Sequence, residues 1–282
     1  VIPLMQLRLR FLWRLIRSLL LLVLITILGL ASLFIPERWW LLFGARLAHT
    51  VLSHTSLLSG IRNRMKRASI SEDVASSYLF DLGRRSFESL RLWRTLKRFR
   101  ITANATKILG EVRSQQKGHL FLTLHMGHWE AMGLKLVREG YDFQVVTTLD
   151  KHDILNRVLR HFRSAMGLKL IHRTGGGRQI IAALKSGHHV GMFADVPGRR
   201  NPFEIFFLGQ TVTQSRAIEQ IQKITESRCV FIYNYRTPTG EYVIEAERVP
   251  MSQPSLYWVH ERMETLVKRY PEQWIWSLDA RP

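Results

Sequence analysis

The hexapeptide His125-Met-Gly-His-Trp-Glu130 places an imidazole and a carboxylate directly behind the apolar run Phe121-Leu-Thr-Leu124. An imidazole can take a proton from a hydroxyl near neutral pH, and a carboxylate can fix its tautomer and stabilise the imidazolium. The pair therefore reads as a general base with its orienter. On a continuous helix, five steps at about 100° each would leave the two side chains roughly 140° apart and out of reach. His125 accordingly belongs in a strand-to-helix turn that Gly127 makes tight. Glu130 then falls in the first helical turn, from which its carboxylate reaches back to the imidazole. Two other readings compete. His125, His128 and Glu130 as metal ligands converge poorly at this spacing across a turn, and no later acidic cluster completes the set, so no metal is expected. A histidine hydrogen-bonded in a core is the simpler reading for His128.

That turn needs a sheet in front of it and a helix behind it. From residue 119 the chain alternates short apolar runs with helical periodicity, the pattern of an α/β domain. Strands are expected at His119–His125, Gln144–Thr148, Leu168–His172 and His188–Ala194, with helices near 128–139, 153–166 and 176–186 between them. Cys229–Arg236 and Tyr242–Val249 flank Thr237-Pro-Thr-Gly240 and read as a hairpin. Helices near 213–226 and 255–270 complete the expected fold, a mixed sheet flanked by helices.

Before residue 105 the chain is basic and apolar by turns. Ser18 to Pro36 carries no charge, at the lower end of what crosses about 30 Å of hydrocarbon, and reads as an N-terminal transmembrane helix. Arg8, Arg10, Arg14 and Arg17 precede it, and Trp39 and Trp40 follow where interfacial aromatics belong. A cleaved signal peptide is the competing reading of this segment. Glu37–Arg67 and Ser71–Arg100 read as two basic amphipathic helices suited to anionic headgroups, or alternatively as solvated faces. The organisation is thus a leader and membrane helix over 1–36, membrane-proximal helices over 37–104 and a catalytic domain over 105–282.

Across its 282 residues the protein has 41 Lys and Arg against 22 Asp and Glu, a net charge of +19. Such a chain meets nucleic acid, an anionic membrane or a phosphorylated or acidic partner. An apolar fraction of 46% excludes disordered and low-complexity classes, and the single Cys229 excludes an internal disulfide and a zinc–thiolate cluster.

The H-x4-E motif at His125 and Glu130 and several blocks in order behind it resemble the bacterial lipid A biosynthesis acyltransferases, lauroyl and myristoyl transferases of the lysophospholipid acyltransferase superfamily. The blocks are Arg157 to Arg173, Gly177 to Gly187, Val190-Gly-Met-Phe-Ala-Asp195 with Pro197-Gly198, Phe206-Phe-Leu-Gly209, and Tyr270-Pro-Glu-Gln-Trp-Ile-Trp276. His128 stands where such proteins often carry Asn, and Ser277 to Pro282 departs from their usual basic, aromatic ending. The resemblance implies a glycerolipid-acyltransferase-like fold. The implied reaction moves a fatty acyl group from an acyl-carrier-protein or coenzyme A thioester to a hydroxyl of a membrane lipid such as a lipid A precursor, at the bacterial inner membrane with the catalytic domain on the cytoplasmic face. It implies no cofactor, and nucleic acid becomes the least expected partner.

Within that resemblance, Arg173 ahead of Gly175-Gly-Gly177 is a candidate phosphate or headgroup contact, with a flexible loop as the alternative. Asp195 is a candidate substrate-site residue and second orienter of His125, or else the cap of the Pro197-Gly198 turn. Gly198 is a candidate substrate-binding residue, and Arg199 and Arg200 are candidate contacts for an acidic carrier or a phosphate, or else solvated surface. Phe203, Phe206, Phe207 and Leu208 read either as the acyl-chain channel or as core. The competing functional class is a non-catalytic, membrane-anchored basic protein that binds lipid or nucleic acid.

Overall fold

The computed structural model describes residues 4–147, 154–198 and 201–276. The chain opens with helices α1 (Leu4–Ser32), α2 (Glu37–Ser53), α3 (Ser56–Arg67), α4 (Val74–Ser89) and the single turn α5 (Leu92–Thr95). It continues through β1 (Phe99–Ile101), α6 (Ala103–Arg113), β2 (Leu120–Thr123), α7 (Trp129–Arg138), β3 (Phe143–Thr147), α8 (Ile154–Ala165), β4 (Lys169–His172), α9 (Gly177–Lys185) and β5 (His189–Phe193). The last third holds β6 (Pro202–Phe207), β7 (Gln210–Ser215), α10 (Ala217–Thr225), β8 (Cys229–Arg236), β9 (Tyr242–Arg248) and α11 (Ser255–Arg269).

Among the described residues, a seven-stranded sheet runs in the order β1-β9-β8-β2-β5-β3-β4. The β8–β9 pair is antiparallel and every other pairing is parallel, so the expected mixed sheet is present. β2 lies in the middle, and all four of its residues are buried, as a parallel strand covered on both faces requires. Leu58, Ile61 and Met65 of α3 and Tyr78 and Leu79 of α4 join Leu120, Leu122 and Phe231 of the sheet in one apolar core. A second core, on Phe121, Val230 and Ile232, is closed by Leu109 of α6 and Leu134 of α7.

The N-terminal transmembrane helix is overturned: no helix among the described residues is long and apolar enough to cross a membrane. α1 stops at Ser32, short of Pro36, and a turn closed by Leu33 N–H on Leu30 and Phe34 N–H on Ala31 follows. The helical part of the uncharged run, Ser18 to Ser32, spans only about 22 Å at about 1.5 Å per residue, against roughly 30 Å of hydrocarbon. Ser18 and Ser32 at its two ends are buried.

The basic helices also differ from two continuous ones. The first segment breaks at His54 into α2 and α3, and the second into α4 and α5. Part of the cationic charge points inward: Arg85 and Arg91 are buried, Arg85 pairing with Asp81 at 2.7 Å, and Arg98 reaches Glu88. Residues 202–215 form a hairpin, and the helix expected near 213–226 begins only at Ala217. β6 and β7 pair antiparallel around Leu208 and Gly209, whose φ values of 51° and 77° make the two-residue turn that suits strand twist. The burial of β6 alternates, so Phe203, Phe207 and the turn residue Leu208 enter the core while Phe206 is 66% exposed.

Candidate active site

β2 and β5 are adjacent and parallel, with Thr123 opposite Phe193. Two residues further along each chain stand His125 and Asp195, which the register therefore brings side by side at the carboxyl ends of neighbouring strands. Open α/β sheets place their sites at such strand ends. The His125 Nδ1 lies 2.8 Å from Asp195 Oδ1, and the His125 backbone N–H donates to Asp195 Oδ2 at 2.7 Å. Trp274 Nε1 donates to the same Oδ2 at 2.9 Å. The Asp195 side chain is fully buried and the His125 side chain 15% exposed. With three donors converging on it, the carboxylate is held as the acceptor, and the imidazole is left with Nε2 for external chemistry.

The carboxylate on the His125 ring is thus Asp195, which the sequence offers only as a second orienter, and not Glu130, which it puts first. Glu130 does sit in the first turn of α7, but its two oxygens take the guanidinium of Arg163 on α8, with Nε to Oε2 at 3.0 Å and a second contact from Nη2 to Oε1. His128 serves a third purpose. It is the N-cap of α7, its Nδ1 accepting from Ala131 N–H at 3.4 Å, while its own backbone N–H is held by Asn234 Oδ1 at 2.8 Å. Burial above all, with the charges of Arg85 and Arg98, pushes its pKa down to about 3. The three residues of the metal reading therefore face three different partners.

The turn itself is held from several sides. Gly127 has φ +58°, and a Cβ there would lie 2.3 Å from Asn234 Oδ1, so the backbone approaches β8 more closely than any side chain permits. Its N–H donates to the Gln273 carbonyl at 3.0 Å and its carbonyl accepts from Arg85 Nη1 at 2.7 Å. Ile275 N–H donates to the His125 carbonyl, and Met126 forms a bridge to Trp274. The segment Pro271 to Trp276 thus acts as a latch on the turn. Arg85, Asn234 and Trp274 are site residues that the sequence alone does not single out. Trp274 had a signal in the dense Pro-Glu-Gln-Trp-Ile-Trp run, whereas Asn234 in an apolar strand had only its polarity.

Of the other candidates, Arg173 follows β4 and donates from Nη2 to the Pro197 carbonyl at 3.0 Å. Gly198 is buried, and a Cβ on it would meet Ser215 Cβ at 2.2 Å, so it allows the loop after β5 to pack against β7. Asp195 and Gly198 thus share the loop after β5, and Arg173, on the loop after β4, reaches that loop at the carboxyl end of the sheet. Arg199 and Arg200, like Thr148 and Ser277 to Pro282, lie outside the described residues.

Phe193 stacks on the His125 ring at 3.7 Å between centroids and Trp129 meets it edge-on at 5.3 Å. Both also line a cavity of about 240 Å³ that runs under the sheet between β2, β5, β3 and α7 to Asp142 and His189. Its middle is apolar, with Met132, Leu136 and Phe143. None of Phe203, Phe206, Phe207 and Leu208 lines it.

A base-like imidazole held by a buried carboxylate beside an apolar slot suits deprotonation of a hydroxyl next to a hydrocarbon tail. Comparison with known proteins gives an independent result. No curated protein matches the chain significantly. Residues 81–279, from α4 to beyond the Trp274 latch and so across the whole site, match the family model described as bacterial lipid A biosynthesis acyltransferase. An acyltransferase enzyme follows from that match, and the chain belongs to the bacterial lipid A biosynthesis acyltransferases.

Proposed function

We propose that this acyltransferase moves a fatty acyl group from a carrier-protein or coenzyme A thioester to a hydroxyl of a lipid A precursor, with His125 as general base. The observation that carries the reading is the His125–Asp195 pair at the carboxyl ends of two adjacent parallel strands, beside the apolar cavity. Asp195 holds the proton on Nδ1, so Nε2 takes the proton of the acceptor hydroxyl. The hydroxyl oxygen forms a bond to the thioester carbonyl carbon, the C–S bond breaks, and the leaving sulfur takes the proton back from His125. The products are an ester and a free thiol, with no covalent enzyme intermediate.

Glu130 acts in this scheme through Arg163, fixing a guanidinium beside the turn where an acceptor phosphate or the developing oxyanion needs a cation. Arg173 borders the same end of the sheet and contacts the carrier or headgroup, while Gly198 packs the neighbouring loop against β7 and Arg199 follows it in sequence. Access to lipid comes from the surface of α2, where Trp39, Phe43 and Val51 are exposed together with Arg38 and Arg46. This combination suits docking on an anionic leaflet without a span.

The test is His125→Ala, assayed for acyl transfer from acyl-carrier-protein and acyl-coenzyme A thioesters to a lipid A precursor. Loss of a general base costs on the order of 10²–10⁴-fold. Circular dichroism should remain that of the parent, because the ring is partly exposed. Near-normal turnover in the folded variant would sink the assignment.

A further inference from the structure

The cavity has one end at the two rings packed on His125 and the other at polar surface, and its dimensions bear on which acyl chains it takes. Its near end is formed by Phe193 and Trp129, the two rings that touch His125. It then follows β5 backward to His189. Four strand steps at roughly 3.3 Å give about 13 Å. At the far end the lining changes to Asp142 and His188, whose side chains are 54% and 46% exposed and lie 3.7 Å apart. A chain long enough to pass His189 therefore meets water and charge. His189 itself, its pKa lowered to about 4 chiefly by burial, presents a neutral ring to the slot at neutral pH.

Four glycines line the slot, and Gly140 and Gly187 have the positive φ that explains them, which leaves Gly191 and Gly133 as the two whose missing side chains keep it open. Gly191 lies midway along β5, in register with Phe121 of β2 and Val145 of β3, and Gly133 lies on α7. Neither has a positive φ. A Cβ on Gly191 would find Phe143 at 3.7 Å and Val145 at 3.8 Å, and one on Gly133 would find Leu168 at 3.7 Å, all ordinary contacts. Backbone conformation and packing do not demand glycine at either place, unlike Gly127 or Gly198. Because Phe143 and Val145 also line the cavity, a larger side chain at 191 projects into it.

We propose that this slot measures the acyl chain, accepting roughly 10–12 carbons, and that Gly191 and Gly133 are the residues that set the length. The number comes from the 13 Å slot and an advance of about 1.3 Å per carbon in an extended chain of 1.5 Å bonds, plus the carbonyl carbon beside His125. The proposal rests on the assignment of His125 as the base, since that fixes where the carbonyl sits.

The experiment uses the full chain with a lipid A precursor as acceptor and saturated acyl-carrier-protein thioesters of roughly six to eighteen carbons. Each buried methylene should raise kcat/KM about fourfold, which corresponds to about 0.8 kcal/mol, until the slot is full. Beyond roughly 10–12 carbons the rise should stop. Gly191→Val should move that break shorter by about four carbons while keeping turnover of the short donors, and Gly191→Ala should move it less. Gly133→Ala, on the opposite wall, gives a shorter break independently if the valine variant fails to fold. A profile that keeps rising to eighteen carbons overturns the proposal, as does an unchanged break in folded, active Gly191→Val. Turnover independent of His125 would instead strike the catalytic assignment, so the two failures are separable.

Discussion

His128 gives the most direct test of how the site is held, because its protonation is tied to folding. The ring is 4% exposed, caps α7 and faces the positive charges of Arg85 and Arg98, and its pKa falls to about 3. In the unfolded chain it returns to roughly 6.5. Between those values the unfolded chain binds a proton that the folded one refuses, so stability present above about pH 6.5 is lost as the pH falls toward 3. At pH 5 the two values imply a loss of about 2 kcal/mol from this one residue, against almost none at pH 7. Replacing it by Asn keeps an N-cap acceptor and removes the titration. The other histidines with lowered pKa, His119, His189 and His260, are common to both proteins and cancel in the comparison. Urea unfolding at pH 7 and pH 5, followed by tryptophan fluorescence, should therefore show the parent losing about 2 kcal/mol more than His128→Asn on acidification. Equal losses in the two proteins would refute the argument, whatever the variant's stability at pH 7.

Asp195→Asn should lower kcat by on the order of 10³–10⁴-fold with little change in acceptor KM, because an amide sets its NH2 against one of the three N–H donors and favours the wrong His125 tautomer. Steady-state kinetics on the folded variant checks it, and a loss below tenfold would remove Asp195 from its role. Gly127→Ala should cost at least about 1–3 kcal/mol from the positive φ alone, with more from the close approach to Asn234, and should lower activity with it. Thermal unfolding decides, and a neutral result would mean the turn has room that its contacts deny.

Elements bounded by apolar runs and turn residues were legible in the sequence. β2, β5 and the β8–β9 hairpin, with α7, α9 and α11, fall within a few residues of their expected places, β2 because burial on both faces makes it a continuous apolar run and the hairpin because Thr237-Pro-Thr-Gly240 marks its turn. β6 and β7 were not legible. Pro202 to Phe207 reads as an apolar cluster unless period two is recognised, and the Thr and Gln of β7 merge into the following helix. In the site, local information placed His125 in its turn and Glu130 in the first helical turn, since both follow from Gly127 and the strand before it. The partner of His125 follows from which strand lies beside β2, a register linking residues 70 apart in sequence that no local pattern encodes. The partner of Glu130 likewise waits on where α8 packs.

The arrangement also explains why the family match extends so far from the H-x4-E motif. The turn carrying His125 is held by Asp195 after β5, Asn234 in β8, Arg85 in α4, and Gln273 and Trp274 near the C-terminus. Arg85 is itself buried and held by Asp81, where the match begins, and the match ends at residue 279, just past the Trp274–Trp276 pair. An arginine removed from water needs a carboxylate beside it, and a base removed from water needs its orienter fixed. Each supporting residue therefore brings its own partner, and the constraint spreads from one hexapeptide to both ends of the matched region. Basic residues at this site thus serve first as internal braces.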